Sequence, residues 1–157
     1  MNIQKGLLAK CIAIPLLVGA VSSLISGGGM ETFQSVVRPP LAPPGWLFPI
    51  VWTILYTLMG ISSYLVLTSG ANPKEIREAI RLYGFQLAVN FFWSIFFFNL
   101  EWYLFSFFWL LLLWALVWLM IEEFHPLSKT AAYLNVPYLI WLTFAGYLNF
   151  GIWFLNR

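Results

Sequence analysis

The chain of 157 residues is too apolar to present an ordinary soluble surface. It is 61% hydrophobic, 20% aromatic and 9% charged, whereas soluble domains are about 45–50% apolar and about 25% charged. This composition favours an integral membrane protein. The formal net charge of +2 provides no basic surface for a nucleic acid. The sequence has no aspartate, one histidine and one cysteine, so catalytic triads, disulfide frameworks and metal sites are poor interpretations.

Five apolar runs are long enough to cross a bilayer, whose core of about 30 Å takes about 20 helical residues. They cover about residues 7–25, 46–68, 80–98, 102–121 and 131–155. Gly27, Gly28 and Gly29 end the first run, and Pro137 is tolerated inside the last because neighbouring helices can satisfy the freed carbonyl. We therefore predict an all-α membrane protein, one domain over residues 1–157, with five transmembrane helices and a long first loop at residues 27–45.

The first run has basic flanks and an apolar centre, as a cleaved signal peptide would. It is long for a signal sequence, so we interpret it as a retained helix. Basic residues in the connections set the orientation. One side of the membrane carries Lys5, Lys10, Lys74, Arg77, Arg81 and Lys129, and the other only Arg38 and Arg157. We therefore predict a cytoplasmic amino terminus, with the first loop on the outer side.

The first loop contains two proline pairs. Pro39, Pro40, Pro43 and Pro44 fix φ and lack backbone donors, so residues 38–45 are predicted to be extended, polyproline-like chain that forms a stiff cover. Trp46 then stands where an interfacial anchor is expected.

Three runs carry polar or aromatic residues at helical spacing. These stripes are Trp52, Tyr56, Met59 and Ser63; Gln86, Asn90 and Ser94 with Trp93 beside them; and Tyr138, Trp141, Ala145 and Asn149. Uncharged amides at membrane depth are unfavourable unless they meet partners or a cavity, so the stripes should face inward. Two interpretations stay open here: contacts that only hold helices together, and the walls of a ligand pocket.

Three segments resemble the TspO/translocator protein family, the tryptophan-rich sensory proteins. They are "PPGWLFPIVWTILYTLMG", "QLAVNFFWSIFF" and "PYLIWLTFAGYLNFGIWFLN", and they occur in the family's order across nearly the whole chain. The resemblance implies a bacterial cell-membrane protein whose first loop covers a pocket between the helices. It implies a receptor for porphyrins such as protoporphyrin IX and for isoquinoline-carboxamide or benzodiazepine ligands, with no required cofactor. It also implies a homodimer, for which small residues such as Gly19 and Ser23 are candidate contacts.

The resemblance further assigns site residues. The ligand-binding set is Trp52, Tyr56, Asn90, Trp93, Phe105, Phe108, Trp141, Ala145 and Leu148, and the lid set is Pro39, Pro40, Pro43, Pro44 and Trp46. Trp52 and Trp141 also match the tryptophans implicated in light-dependent porphyrin degradation in some bacterial relatives. This light-dependent degradation is the only enzymatic activity that the resemblance implies.

The sequence also allows functions other than a porphyrin receptor. A carrier of sterols or tetrapyrroles is the alternative function, but the family's sterol motif is broken here, since Leu148 is followed by Phe150 and the next basic residue is Arg157. A reversed pattern, Arg81-Tyr83-Leu87, is a weak signal. Leu41 stands where many relatives have an aromatic residue, which predicts a looser lid. A metal or haem enzyme would need more ligands than the single pair Glu122 and His125.

Overall fold

The computed structural model describes residues 2–27 and 29–157, so Gly28 of the predicted glycine breaker lies outside the described residues. All regular structure in this part of the chain is helical. The helices are α1 (Lys5–Ile25), α2 (Met30–Ser35), α3 (Leu47–Leu67), α4 (Pro73–Ser94), a π-helical turn (Ile95–Asn99), α5 (Tyr103–Phe124), α6 (Lys129–Leu134) and α7 (Val136–Leu155). Five segments are long and apolar enough to span a membrane: Lys5–Ile25, Leu47–Leu67, Pro73–Asn99, Tyr103–Phe124 and Lys129–Leu155. The predicted all-α class with five spans is confirmed.

The third span begins seven residues earlier than the apolar run predicted, at Pro73 instead of about residue 80. Asn72 caps the helix, because its side-chain oxygen accepts from the Lys74 amide at 2.9 Å. Pro73 occupies the first turn, where a missing amide is harmless. Hydropathy located the membrane-buried part of α4 but not its charged first two turns.

The last span is broken, although one continuous helix was predicted over residues 131–155. α6 ends at Leu134 and α7 starts at Val136, with Asn135 between them. The cause is Pro137, which lacks an amide and whose ring clashes with the carbonyl one turn earlier. The buried Asn135 side chain donates to Ser62 Oγ at 2.7 Å and to the Ala131 carbonyl at 3.0 Å, so the break is held against α3.

The helices form a ring in the order α1, α3, α6 with α7, α5 and α4, which returns to α1. The tightest pair is α1 and α3. A Cβ at Gly60 would lie 2.5 Å from Ile12 Cα and 2.6 Å from the Cys11 carbonyl oxygen, so the two backbones touch there. By contrast, α3 packs on α6 but diverges from α7. This divergence leaves space between the helices at the end of the bundle that the first loop covers.

The first loop is more structured than predicted. The short helix α2 lies within it, with Phe33 buried against Phe48 and Phe97. The proline-rich part is not one extended segment, because Ala42 N donates to the Pro39 carbonyl at 3.3 Å and closes a turn. Leu41 occupies that turn with φ of 67°, a conformation in which side chains other than glycine are strained.

Candidate functional site: a covered cavity between the helices

A cavity of about 440 Å³ lies between the helices beneath the first loop. This volume falls in the range of about 300–1,000 Å³ that is usual for small-molecule sites. Its described lining comes from α1, α2, α3, α4, the π-helical turn and α7, and includes no charged side chain. α5 contributes none of it. The cavity therefore suits an apolar ligand better than an ionic one.

Aromatic rings form one wall of the cavity. Trp52 stacks on Tyr56 with the ring centroids 5.4 Å apart, and it meets Tyr138 edge-on at 6.1 Å. Across the gap between α3 and α7, Phe48 meets Trp141 edge-on at 5.7 Å. Such offset and edge contacts are preferred between rings, and the exposed faces offer a stacking surface to a flat molecule.

The opposite wall, on α1, is built from small residues. Gly19, Ala20, Ser22, Ser23 and Ser26 all line the cavity. At Gly19 even a single methyl group would overlap the Tyr56 ring. Among the described α1 residues of the lining only Leu16 is large, so the small residues leave the cavity wide.

A chain of buried hydrogen bonds closes the floor. The Tyr56 hydroxyl donates to Asn90 Oδ1 at 2.7 Å, Asn90 Nδ2 donates to the Tyr138 hydroxyl at 2.7 Å, and that hydroxyl donates to Gln86 Oε1 at 2.9 Å. All four side chains are buried. We call this set the floor chain. It shows that the inward amides hold three helices together, while Tyr56 and Asn90 also line the cavity.

A second buried amide, Asn149, fixes the aromatic wall on α4. Its Oδ1 accepts from Trp93 Nε1 at 3.1 Å and from Ser106 Oγ at 3.2 Å. Its Nδ2 donates to the Tyr103 carbonyl at 2.7 Å. Because every polar atom of the amide is bonded, the Trp93 ring is held in one orientation at the cavity edge.

The indole of Trp141 differs from the others, since its Nε1 is buried and has no hydrogen-bond partner among the described residues. An unpartnered buried donor costs about 1–3 kcal/mol. A ligand with a carbonyl or similar acceptor near Trp141 would remove that cost.

The structure brings together seven of the nine residues predicted to bind ligand. Those lining the cavity are Trp52, Tyr56, Asn90, Trp93, Trp141, Ala145 and Leu148. Phe105 and Phe108 are not among them. They are 46% and 60% exposed on the outer face of α5, because the helix turns Ser106 and Leu110 inward instead. Phe105 stacks with Trp109, whose centroid is 6.1 Å away, on this outer face.

The predicted lid residues all lie in or just after the first loop, which covers the cavity. None of Pro39, Pro40, Pro43, Pro44 and Trp46 lines the cavity, whose cover is formed by Gly29, Met30, Phe33 and Gly45. Pro40 and Pro44 are exposed and Pro43 is half-buried, whereas Pro39 is buried. Trp46 is 64% exposed, as an interfacial anchor would be. The inner cover was missed because α2 is too short to give a recognisable period.

The end of α7 fastens the proline-rich layer. Asn156 makes two bonds to Val37, accepting from its amide at 2.9 Å and donating to its carbonyl at 2.8 Å. The Tyr147 hydroxyl donates to the Pro40 carbonyl at 2.6 Å. Pro39 packs so closely on Gly151 that a Cβ there would lie 2.7 Å from the proline ring. We call these contacts the latch.

Weakening the latch is expected to free the first loop. In Asn156→Ala the Val37 amide loses its acceptor, and two bonds worth about 0.5–1.5 kcal/mol each disappear. We expect hydrogen exchange at Val37 to accelerate about tenfold, measured by mass spectrometry or NMR. Tyr147→Phe removes one bond elsewhere in the latch and serves as the matched control, with a smaller effect at Val37. Equal protection of Val37 in the parent and Asn156→Ala would contradict the latch.

Groups for metal binding or acid–base chemistry do not gather around the cavity. Over residues 2–27 and 29–157, no three His, Cys, Asp or Glu side chains lie together as metal ligands would. His125 follows the end of α5 and contacts the Tyr133 ring, with centroids 5.9 Å apart. It belongs to the opposite end of the bundle from the first loop.

Comparison with known proteins agrees with this architecture. The sequence profile of the TspO/MBR family matches residues 11–154. The chain is 40% identical over 157 residues to the Tryptophan-rich protein TspO of Chlorobaculum tepidum, with 99% of each chain covered. It is 37% identical to the protein of the same name from Archaeoglobus fulgidus, again over 99% of each chain. Identity to the Translocator protein of Bos taurus is 34%, over 92% of this chain and 86% of the relative. The chain therefore belongs to the TspO/MBR family of membrane proteins.

Proposed function

We propose that the protein is a membrane receptor for flat, apolar ligands: porphyrins such as protoporphyrin IX, and isoquinoline-carboxamide or benzodiazepine-type compounds. The observation that carries this proposal is the covered, uncharged cavity with an aromatic wall. A macrocycle can stack on the rings of Trp52 and Trp141 while the small residues of α1 leave room for its width. Membership of a family that includes proteins named TspO and Translocator protein supports it.

The alternative, a carrier of sterols or tetrapyrroles, has less support for its sterol part. In the reversed pattern, Tyr83 and Leu87 are 7% and 5% exposed inside the bundle, so neither offers a face to a lipid-dissolved sterol. In the forward pattern Leu148 is buried, whereas Phe150 is exposed on the outer face of α7. The two halves of that pattern therefore point in different directions.

Titration with protoporphyrin IX tests the proposed function. Binding beside Trp52, Trp93 and Trp141 should quench tryptophan fluorescence in the detergent-solubilised protein. Ala145→Phe places a ring inside the cavity and should weaken binding by about tenfold or more, a cost above about 1.4 kcal/mol. Ile140→Phe, on the exposed face of the same helix, is the matched control and should bind as the parent does. Tighter binding of cholesterol analogues than of porphyrins would reverse the ranking.

A second candidate function is light- and oxygen-dependent degradation of the bound porphyrin. It is favoured by the position of Trp52 and Trp141, which both line the cavity and present oxidisable indoles to it. No cofactor is required in this proposal, because the porphyrin is itself the light-absorbing substrate.

We also propose that the protein is a homodimer in a bacterial cell membrane with a cytoplasmic amino terminus. Gly19 is removed from the candidate dimer contacts, because the Tyr56 ring of the same chain occupies the space beside it. Ser23 is exposed, but it lies on the cavity side of α1.

Orientation can be tested with single cysteines at two exposed positions. In a Cys11→Ala background, Glu75→Cys lies beside the basic second connection and Ser35→Cys lies in the first loop. We expect an impermeant maleimide added to intact cells to label position 35 and spare position 75. Labelling of position 75 alone would show that the topology is the reverse of the predicted one. Labelling of both positions would refute the five-span orientation.

A further inference from the structure

The cavity is open on one side. Among its described lining residues four are exposed, and all four belong to α1 or α3: Ala20, Ser23, Pro49 and Thr53. The lining residues on α2, α4, the π-helical turn and α7 are buried or half-buried. The exposed part of the cavity therefore lies between two transmembrane helices.

Helical spacing explains why the opening lies there. On α3, Pro49, Thr53, Tyr56 and Gly60 form one stripe facing α1, and on α1 the facing stripe is Ile12, Leu16, Gly19, Ala20 and Ser23. Gly60 touches the α1 backbone and Tyr56 covers Gly19, so this half of the interface is closed. One turn further toward the first loop, the two stripes continue as exposed residues. The antiparallel pair thus separates just beyond the contact of Tyr56 with Gly19.

The other sides are closed by specific contacts. Ser22 and Ser94 share a hydrogen bond between α1 and α4, and Ser22 Oγ also donates to the Phe91 carbonyl at 3.3 Å. Trp93 and Asn149 join α4 to α7. Phe48 and Trp141 meet between α3 and α7, and the first loop covers the end.

The gap has the polarity of a lipid-facing surface. Ala20 and Pro49 have apolar side chains, and the Thr53 hydroxyl donates to the Pro49 carbonyl at 2.7 Å, so it is satisfied within its own helix. An apolar molecule passing between the helices would leave the Thr53 hydroxyl with its partner. Such molecules are already concentrated in the bilayer, because water disfavours their apolar surface.

We propose that the gap between α1 and α3 is a lateral portal, through which flat, membrane-dissolved ligands pass between the bilayer and the cavity without the first loop opening. Ala20 and Ser23 form one side of the portal, and Pro49 and Thr53 form the other. This inference rests on the proposed function for the identity of its ligand. The portal itself is a property of the helix pair.

The kinetic test obstructs the portal chemically. In a Cys11→Ala background, Ser23→Cys is labelled with a bulky maleimide, and protoporphyrin IX binding to the protein in lipid nanodiscs is followed by stopped-flow fluorescence. A plugged portal slows entry and exit together, so we expect both rate constants to fall about tenfold while the Kd stays within about threefold. Leu24→Cys, one residue away on the lipid-facing side and 81% exposed, carries the same label as the control.

Three results would overturn the portal. If label at position 23 leaves both rates equal to those with label at position 24, the ligand takes another route. If label at position 23 accelerates dissociation without slowing association, it only crowds the bound ligand. Asn156→Ala, which weakens the latch, should leave both rates unchanged. Faster binding in that variant would show that ligands enter through the first loop.

A ligand-free measurement separates failure of the portal from failure of the proposed function. A nitroxide at Thr53→Cys should collide with oxygen, which dissolves in lipid, far more often than with a water-soluble nickel chelate. The reference is Ile54→Cys, which is 54% exposed on the outer face of α3. Oxygen accessibility at position 53 within about threefold of the reference supports the portal even if protoporphyrin IX fails to bind. Accessibility near that of Leu113→Cys, which is 1% exposed and does not line the cavity, would refute it.

Discussion

Gly60→Ala is expected to destabilise the protein although alanine is the better helix former. The added Cβ would lie 2.5 Å from Ile12 Cα and 2.6 Å from the Cys11 carbonyl oxygen, and backbone atoms cannot move aside as a flexible side chain would. Overpacking of this kind costs about 1–3 kcal/mol, and α1 must shift away from α3 to relieve it. The midpoint of thermal unfolding in detergent should fall, and Gly60→Leu should lower it further.

Gly84→Ala is the matched control for this effect. A Cβ at Gly84 in α4 has nothing within 4 Å, so the same substitution adds helix propensity without a clash. It should stabilise the protein by about 0.5–1 kcal/mol. The two alanine variants should thus shift the unfolding midpoint in opposite directions. An unchanged midpoint in Gly60→Ala would show that α1 and α3 do not pack at backbone contact.

The double variant Trp52→Phe/Trp141→Phe is expected to bind protoporphyrin IX and to lose its light-dependent degradation. Phenylalanine retains an aromatic face, so the affinity should change by less than about tenfold, or about 1.4 kcal/mol. It lacks the readily oxidised indole that would exchange electrons with the excited macrocycle. Loss of porphyrin absorbance under illumination in air should therefore slow to the rate of free porphyrin in the same detergent.

Trp118→Phe provides the control for indole loss as such. Trp118 is 48% exposed, stacks on Trp114 on the outside of the bundle and does not line the cavity. The Trp118→Phe variant should degrade porphyrin at the parent rate. If the double variant degrades bound porphyrin as fast as the parent, or if the parent does not exceed free porphyrin, the degradation proposal is wrong and a binding protein remains.

The five spans were predictable because each must be an apolar helix long enough to cross the bilayer. The inward stripes were predictable for a related reason, since an amide such as Asn90 cannot face lipid unpaired. Hydropathy does not indicate where a helix begins or ends. The capped start of α4 at Asn72 and the break at Asn135 depend on single side-chain bonds.

The α1 wall of the site was missed because most of its side chains are small. Apart from Leu16, it consists of glycine, alanine and serine at helical spacing, and such a stripe equally indicates close helix packing. On α5, aromatic residues lie on every side of the helix, so their spacing does not identify the face that points inward. Phe105 and Phe108 were assigned by resemblance alone, and the buried Ser106 is what marks the inward direction.

The floor chain has a consequence for movement through the membrane. Beyond it, away from the first loop, Met59, Val66, Val117, Met120 and Phe124 are all fully buried in a continuous apolar core. A bound molecule travelling from one leaflet to the other would have to break three buried hydrogen bonds and then displace that core. Such passage is far more costly than retreat by the path of entry. In the proposed function, a ligand would therefore leave on the side by which it entered, and its transfer onward would require an acceptor on that side of the membrane.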